Sequence, residues 1–469
     1  MVFSLSGRLS TMRRMPGSGN STTTATESGC VSISDDVMPH LGTRSSVKPV
    51  REQTDSGDIE VDERTIWRTS LIRAAVAYAV SRLAILIGGG IIAAELRADE
   101  NKIHERLVWG SILRPDPHAR VGALPKSATS MVLDVLTSWD GLWYMRIIRH
   151  GYPTFIPPHI TYDQSQARVA FFPVYPYSVR VIDRVLPGGD TLAAIVLNLL
   201  LGAVFIVLVG LLTKAYFGSR YAEKAMVVTA IFPGSFVLLF TYSEATLLVL
   251  AAACLLLLHR ERFLLAGLVA AAATATRPNG IALVAACVVA GVIVIRRERS
   301  VTSVARATAA TAIAPLGFIA FQLWIDRHTG ESRAWFRVQG EAWKEGTSFG
   351  LTAIRRTLEA FTQPLTSPTD LITAVSFITT IGLVWLAVRR HRLPLPAAAY
   401  SAVVIALMLL PATVTARPRF LFTAFPLLIV AAVWLEHPRR RDWWPWILSA
   451  CLGGLVTLTA LYGAYAAIP

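Results

Sequence analysis

Long apolar runs constrain the fold of this 469-residue chain more than any other feature. They lie at about residues 70–95, 191–212, 225–258, 262–295, 304–325, 370–388, 396–411, 418–435 and 444–467. A segment that crosses a bilayer core of about 30 Å must satisfy its own backbone hydrogen bonds, which leaves helices and closed barrels. Because the runs lack the period-two alternation of barrel strands, we expect an all-α, polytopic integral membrane protein.

Two of these runs are too long for one span, and residues that favour turns interrupt each of them. The run 225–258 contains TYSE at 241–244, and the run 262–295 contains RPNG at 277–280. Counting each as a hairpin of two short helices gives about eleven transmembrane helices.

The basic clusters between the runs test this count. They lie at 214–224, 260–262, 296–306, 389–392 and 439–441. With both hairpins, every cluster lies on the side of the N-terminus, as the positive-inside rule requires of cytoplasmic loops. We therefore expect long extracytoplasmic loops at about 96–190 and 326–368, with both breaks and residues 411–419 on that same face.

The composition outside the apolar runs reflects how the chain crosses the membrane and gives no sign of a soluble binding partner. Residues 1–64 are rich in Ser, Thr, Gly and Asp, which predicts a disordered cytoplasmic tail before a membrane domain at 65–469. The net charge of +14 belongs largely to the loop clusters, so we expect no nucleic acid. The four cysteines show no CxxC spacing, so we predict neither a disulfide nor a metal site.

Asp140 is the strongest candidate for a catalytic group. It lies between Trp139 and Trp143 in the first long loop, where tryptophans prefer the membrane interface and lower the solvation of the carboxylate. Such an acid is suited to accepting a proton. The alternative is a helix cap, or a structural ion pair with Arg146 or Arg149.

Three arginines on the expected extracytoplasmic face break the positive-inside rule. Arg277, Arg417 and Arg419 offer planar, permanently charged donors that suit a phosphate, such as that of a lipid at the outer interface. Alternatively, these side chains extend to lipid headgroups without binding a substrate.

Arg82 and Glu244 are charges inside or beside apolar runs. Arg82 lies in the first run and needs a partner within the helix bundle, for which Glu244 is a candidate. Glu244 could instead help to bind a sugar or a metal.

Trp335, Gln339 and Trp343 recur every four residues and would share one helical face. An interfacial aromatic belt and a sugar-stacking surface both fit this spacing.

Missing motifs narrow the reaction class. The sequence contains no Walker loop, no GxGxxG fingerprint and no HExxH motif, which argues against a cytosolic nucleotide-driven reaction. A lipid-linked sugar phosphate fits better, because its leaving group needs cations, and one carboxylate suffices to deprotonate the acceptor. A glycosidase would need two carboxylates at a defined separation.

Five motifs occur in one order: WDGLWYMRIIRHGYP at 139–153, FFPVYP at 171–176, FPGSFVLLFTYSEA at 232–245, TRPNG at 276–280 and RPRFLFTAFPL at 417–427. Over about residues 70–435 the chain resembles the PIG-V mannosyltransferase family of the GT-C glycosyltransferases, and it looks more like the bacterial branch. The resemblance implies a GT-C-like fold in the plasma membrane and inverting transfer of mannose from polyprenyl-phosphate-mannose. It also implies that Asp140 is the catalytic base on the extracytoplasmic face.

The motifs further suggest which residues contact the substrates. These are Trp139, Trp143, Tyr144, His150, Tyr152, Tyr175, Glu244, Arg277, Asn279, Arg417 and Arg419. The expected partners are the polyprenyl-phosphate-mannose donor, a lipid-linked glycan or glycolipid acceptor, and membrane lipids. No cofactor is assigned, and a divalent metal requirement is left open.

Two other functions are compatible with the sequence. A lipid or glycan transporter or flippase could also use an intramembrane arginine and arginines at the interface, although the chain shows no internal repeat. A non-catalytic subunit of a glycan assembly complex is the third possibility.

Overall fold

The computed structural model describes residues 63–113, 127–160, 166–344, 346–364 and 366–469. Over these residues the regular secondary structure is helical, apart from an isolated bridge between Thr347 and Pro411. The α-helices are α1 (Glu63–Leu113), α2 (Ala128–Leu136), α3 (Asp140–His150), α4 (Val174–Asp183), α5 (Asp190–Phe217), α6 (Ala222–Ile231), α7 (Glu244–His259), α8 (Phe263–Thr274), α9 (Ala282–Glu298), α10 (Val301–Ile313), α11 (Leu316–Thr329), α12 (Ala334–Ala342), α13 (Leu351–Thr362), α14 (Pro368–Arg389), α15 (Leu395–Leu409), α16 (Pro418–Thr423), α17 (Pro426–Leu435) and α18 (Trp444–Gly463). Short 3-10 helices cover Ala167–Ala170, Ser219–Tyr221, Pro233–Leu238, Pro278–Ile281 and Pro438–Trp443.

The described helices are those of a multi-pass membrane protein. Six segments are long and apolar enough to span a bilayer by length and composition: Glu63–Leu96, Asp190–Phe217, Pro278–Glu298, Val301–Thr329, Pro368–Arg389 and Pro438–Gly463. Four shorter apolar helices are Glu244–His259, Phe263–Thr274, Leu395–Leu409 and Pro426–Leu435. The expected all-α fold is confirmed, while the total of about eleven spans is consistent with these segments and stays a prediction.

Both predicted helix breaks are present, but the first is longer than the predicted TYSE at 241–244, because α6 already ends at Ile231. After α6 the chain forms the 3-10 helix Pro233–Leu238 before α7 begins, and α8 and α9 are separated by the 3-10 helix Pro278–Ile281. Each 3-10 helix opens with a proline, which cannot donate the backbone hydrogen bond that would continue the preceding helix.

Arg82 is held at the first of these breaks and not by Glu244, as the sequence had suggested. Its guanidinium donates to the Ser235 carbonyl at 2.9 Å, the Ser235 hydroxyl at 2.9 Å and the Ala230 carbonyl at 3.3 Å. The last carbonyls of a helix have no partner within that helix, so a buried helix end requires a donor of this kind. Arg82 therefore has a structural role in stabilising the break.

The regions expected as long loops contain helices of their own. Helix α1 continues to Leu113, and α2, α3 and α4 follow before α5, while α12 and α13 lie between α11 and α14. Most of the predicted tail 1–64 lies outside the described residues, and α1 begins at Glu63.

Helix packing brings the two ends of the described domain together. Helix α18 packs along α1, α5 packs on α7, and α7 forms an antiparallel pair with α8. Small buried residues such as Ala251, Ala266 and Ala270 let these backbones approach closely.

A separate aromatic cluster joins the first loop region to α11 and α12. Phe172 packs on Phe321 with ring centroids 4.4 Å apart, and Trp343 packs on Trp143 at 6.0 Å. The Trp335 indole N–H donates to the Ala170 carbonyl at 3.1 Å. Trp335 in α12 and Trp343 directly after it therefore contact the protein interior, which does not fit a simple interfacial belt.

Candidate active site

Two acids and two arginines from four separate segments meet in one buried cluster. Arg419 Nη1 lies 2.6 Å from Asp140 Oδ2 and 3.7 Å from Glu244 Oε1. Arg277 Nη1 lies 2.8 Å from Glu244 Oε2, and its Nη2 lies 3.8 Å from Asp140 Oδ2. We call Asp140, Glu244, Arg277 and Arg419 the charge cluster, and its formal charge is zero.

Helix starts position all four groups. Asp140 and Glu244 are the first residues of α3 and α7, where the partial positive charge of a helix N-terminus favours a carboxylate. Arg277 immediately precedes the 3-10 helix Pro278–Ile281, and Arg419 is the second residue of α16. All four charged side chains thus lie at helix starts, where the first backbone N–H groups have no partner within the helix, and two of them, Glu244 and Arg277, lie at the breaks in the apolar runs.

Two glycines permit the close packing that these positions require. A Cβ on Gly141, beside Asp140, would lie 2.5 Å from Thr241 Oγ1. A Cβ on Gly234 would lie 2.2 Å from the Pro418 carbonyl oxygen. The contact at Gly141 would force the Thr241 side chain to move, and the contact at Gly234 would force the backbone apart, so these two positions let α3 and α16 approach the turn regions around the cluster.

Strained backbone precedes the candidate base. Trp139 has φ 55° and ψ −125°, a region that non-glycine residues rarely occupy. Its indole N–H donates to the Tyr462 carbonyl at 2.9 Å, and its ring lies 5.2 Å from that of Tyr465. These contacts with the end of α18 hold Trp139 in place and thereby orient Asp140.

Burial distinguishes the two acids. The Asp140 side chain keeps 19% of its accessible surface, whereas Glu244 keeps 2%, Arg419 7% and Arg277 12%. Asp140 is therefore the acid that a substrate can reach, while Glu244 is buried and pairs with the two arginines.

The acids hold both arginines firmly in their charged form. Burial alone would lower the pKa of the Arg419 guanidinium, but Asp140 and Glu244 raise it above its ordinary value. For Arg277, burial again acts to lower the pKa, and Glu244, followed by Tyr144 and Asp140, raises it overall. Two fixed cations thus remain beside one partly exposed carboxylate.

Neutral hydroxyls support Arg277 from the side. Arg277 Nη1 donates to Ser243 Oγ at 3.1 Å, and the Ser243 and Tyr144 hydroxyls share a hydrogen bond of 2.6 Å. Burial raises the pKa of Tyr144 to about 12, so this phenol stays protonated at neutral pH. The sequence motifs pointed to Tyr144, whereas Ser243 appeared only within the TYSE interruption at 241–244.

The cluster retains unused hydrogen-bonding capacity. Glu244 Oε1 and Arg419 Nε are buried and have no hydrogen-bond partner within the described chain. Buried polar atoms are normally paired, so unpaired ones beside a charge cluster are a reason to look for a ligand there.

Arg417 lies apart from the cluster, although it is only two residues from Arg419. It is fully buried, and its Nη1 donates to the Thr369 carbonyl at 3.0 Å and to the Thr373 hydroxyl, both on α14. Its Nε and Nη2 have no hydrogen-bond partner among the described residues. The expected direct role of Arg417 in contacting a ligand therefore does not follow from its placement.

Asp140 does form an ion pair, but with Arg419 and not with Arg146 or Arg149, the two candidates from the sequence. Arg149 bonds to Asp190 at 2.6 Å, at the far end of α3. Arg146, the other arginine considered, is exposed.

Several motif residues do not reach the charge cluster. His150 is exposed and ends α3, roughly 15 Å along the helix from Asp140. The Tyr152 hydroxyl donates to the Phe171 carbonyl at 2.6 Å, and Trp143 is buried against Phe171. These three belong to the surroundings of the site.

Tyr175 and Asn279 lie closer to the cluster residues. Tyr175 is fully buried and packs edge-on against Tyr144, while its hydroxyl accepts from Asn198 at 3.3 Å. Asn279 is half-buried in the short helix that follows Arg277.

Sequence reasoning missed the contributions of Thr241, Tyr242 and Tyr462. The Tyr242 ring lies 5.7 Å from the Arg419 guanidinium, and its hydroxyl donates to the Ser138 carbonyl at 3.1 Å. Tyr462 acts through its backbone carbonyl, for which a sequence carries no signal. Over the described residues, no group of three or more His, Cys, Asp or Glu side chains is arranged to hold a metal.

No family profile and no curated protein sequence matches this chain. Among solved structures it is similar to ArnT from Cupriavidus metallidurans bound to undecaprenyl phosphate, at 13% identity and a TM-score of 0.45 over 67% of this chain and 60% of ArnT. It is also similar to the Archaeoglobus fulgidus oligosaccharyltransferase tethered to an acceptor peptide, at 13% identity and a TM-score of 0.38 over 82% of this chain and 55% of that one. The chain thus spans about 60% or less of the length of these proteins, the PIG-V resemblance stays a prediction, and the activity has to be argued from the chain's own site.

Proposed function

We propose that this protein is an integral membrane glycosyltransferase that moves mannose from polyprenyl-phosphate-mannose to a lipid-linked glycan or glycolipid, with inversion at the anomeric carbon. The observation that carries the proposal is the charge cluster, in which one partly exposed carboxylate, Asp140, lies against Arg277 and Arg419. A base and two fixed cations are the groups that transfer from a sugar phosphate requires.

The reaction needs one displacement. Asp140 accepts the proton of the acceptor hydroxyl as the acceptor oxygen forms its bond to the anomeric carbon. The bond from that carbon to the phosphate oxygen breaks on the opposite face, so the configuration inverts. The polyprenyl phosphate departs with the bonding electron pair, and Arg277 and Arg419 stabilise its charge.

Without substrate, the arginines neutralise the base. Arg419 Nη1 lies 2.6 Å from Asp140, which holds the carboxylate in an ion pair. A donor phosphate offers Arg419 another anion, and once the guanidinium turns toward it, Asp140 is free to accept a proton. Glu244 stays bonded to Arg277 at 2.8 Å and keeps that cation in position throughout.

An apolar cavity whose wall includes Ala275, two residues from Arg277, supports a lipid-linked donor. It has a volume of about 370 Å³ and lies between the start of α4, the end of α8 and α11, where Pro173, Ala275 and Ala320 contribute to its wall. Ala275 is two residues from Arg277, so a phosphate on that arginine would have its isoprenoid chain beside this cavity. Ala320 is exposed on the outer surface of α11, which gives the chain access from lipid.

Transfer assays in reconstituted vesicles test the proposal. We expect the wild-type protein to release polyprenyl phosphate from polyprenyl-phosphate-mannose and to form a mannosylated lipid in membrane extracts. Asp140→Asn should fold, bind the donor and lose transfer by at least a thousandfold, because the amide cannot accept the proton. Asp183→Asn, a matched change on α4, should leave transfer intact.

Transfer by Asp140→Asn at the wild-type rate would rule out the assignment of the base. Movement of the intact donor across the bilayer without cleavage would instead favour a flippase.

A further inference from the structure

A second cavity lies between α14, α15 and α17, away from the charge cluster. Its volume is about 590 Å³, within the roughly 300–1,000 Å³ of ordinary small-molecule sites. It lies on the C-terminal half of α14, whose end at Arg389 is roughly 24 Å along the helix from Thr373, the residue that Arg417 contacts. The mechanism above makes no use of this cavity.

The cavity has an open mouth and a closed floor. Val388 and Leu395, at the mouth, are 61% and 64% exposed, while Ser401 and Leu427, deeper in, are each 3% exposed. Arg392 is the charged residue in its described lining and lies beside the exposed pair. An apolar chain can therefore enter from the lipid-facing surface with an anionic group left at Arg392.

Several arginines lie near the mouth. Within the described part of the chain, no carboxylate pairs with Arg390 or Arg392, and the nearby Glu436 is already bonded to Lys224 at 2.8 Å. The segment after α17 adds Arg440, which lies close enough to His391 that it acts with burial and Arg390 to lower the pKa of that imidazole.

We propose that this cavity binds one anionic phospholipid, with an acyl chain in the groove between α14 and α15 and its phosphate on Arg392. Basic pockets between membrane helices on the cytoplasmic side attract anionic headgroups, and the basic clusters predict that this end is cytoplasmic. A zwitterionic lipid would bring its own cation against Arg390 and Arg392. The occupant is therefore a lipid with net negative charge, such as phosphatidylglycerol.

Lipid retention by the purified full-length protein tests this site. Lipid-depleted protein is titrated with phosphatidylglycerol or phosphatidylcholine, and bound lipid is counted by native mass spectrometry. We expect one phosphatidylglycerol to bind at least fivefold more tightly than phosphatidylcholine. Arg392→Gln should lose about fivefold in phosphatidylglycerol affinity, the effect of one basic residue at a membrane surface.

Two further variants separate this site from general attraction to the basic surface. Arg389→Gln makes the same charge change at the same helix end but outside the cavity lining, and should change affinity by less than twofold. Ala402→Trp fills the groove from an exposed position, which folding tolerates, and should abolish the single tight site.

Equal losses in Arg392→Gln and Arg389→Gln would overturn the proposal, as would unchanged binding in Ala402→Trp. Selective retention of polyprenyl phosphate in place of phosphatidylglycerol would also overturn it. Because none of these measurements depends on transfer, the outcome is independent of the proposed enzymatic activity.

Discussion

Arg417 and Arg419 belong to one short motif, yet the structure predicts different effects on stability when each is replaced by methionine. Burial, with smaller contributions from Arg356 and Arg419, lowers the pKa of Arg417 from 12.5 to about 10. A pKa difference of one between the folded and unfolded states corresponds to 1.36 kcal/mol. The charged Arg417 side chain therefore destabilises the folded state by about 3 kcal/mol. The Arg417→Met variant removes this cost.

Methionine also removes two hydrogen bonds, to the Thr369 carbonyl and the Thr373 hydroxyl, and each contributes about 1 kcal/mol. The two effects largely offset each other, so the free energy of unfolding of Arg417→Met should be equal to or slightly above that of the wild type. Arg419→Met leaves Asp140 and Glu244 without one of their cations, and breaking a buried ion pair in this way costs about 3–5 kcal/mol.

Unfolding by SDS in mixed micelles measures both free energies on the same scale. Arg417→Lys serves as the control, because it keeps a buried charge and should be no more stable than the wild type. Donor affinity, measured in parallel, should fall far more in Arg419→Met than in Arg417→Met. A loss of 2 kcal/mol or more in Arg417→Met would refute the reasoning, since it would mean that the buried charge stabilises the fold.

Three further substitutions address the site and its surroundings. Ser243→Ala removes a hydroxyl that accepts from Arg277, so turnover should fall about tenfold, equivalent to one lost hydrogen bond, without a change in expression. Gly141→Ala places a methyl group 2.5 Å from Thr241 Oγ1 and should cost about 1–3 kcal/mol of unfolding free energy, which Thr241→Ala in the same chain should restore. Ala320→Trp fills the apolar cavity at Ala275 and should raise the KM for a long-chain donor at least tenfold while sparing a short-chain analogue.

Each of these expectations has a control. Leu323→Trp, on α11 but outside the cavity lining, should leave both KM values unchanged. An equal rise for short-chain and long-chain donors in Ala320→Trp would contradict the role assigned to the cavity. Full activity in Ser243→Ala would show that Arg277 needs no support from that hydroxyl, and failure of Thr241→Ala to rescue Gly141→Ala would mean that the clash lies elsewhere.

The sequence predicted the helical breaks well because their causes are local. Proline and small polar residues interrupt two apolar runs, and both interruptions are real ends of helices. The same local reasoning identified Arg277, which lies at one of these interruptions, and the flanking tryptophans identified Asp140. The two side chains meet in the structure.

The partners of charged residues could not be predicted, because they depend on packing between distant segments. Arg82 was a candidate partner for Glu244, yet it satisfies carbonyls freed where α6 ends. Arg417 and Arg419 look equivalent in the sequence, but Arg417 bonds to α14 and Arg419 bonds to Asp140 in the charge cluster. Trp335 has the spacing of an interfacial aromatic, but its indole N–H bonds to the Ala170 carbonyl in the first loop region.

The contacts of Trp139 and Asp140 have a consequence for biosynthesis. Trp139 is held by the Tyr462 carbonyl, and Asp140 by Arg419, so a ribosome must deliver more than 270 further residues before either contact forms. Until then the carboxylate has no Arg419 to neutralise it, and the backbone strain at Trp139 has nothing to oppose it. Chains lacking α18 should therefore insert into the membrane and keep the Arg419 ion pair, yet carry a misoriented base, because nothing then holds Trp139 in its strained conformation.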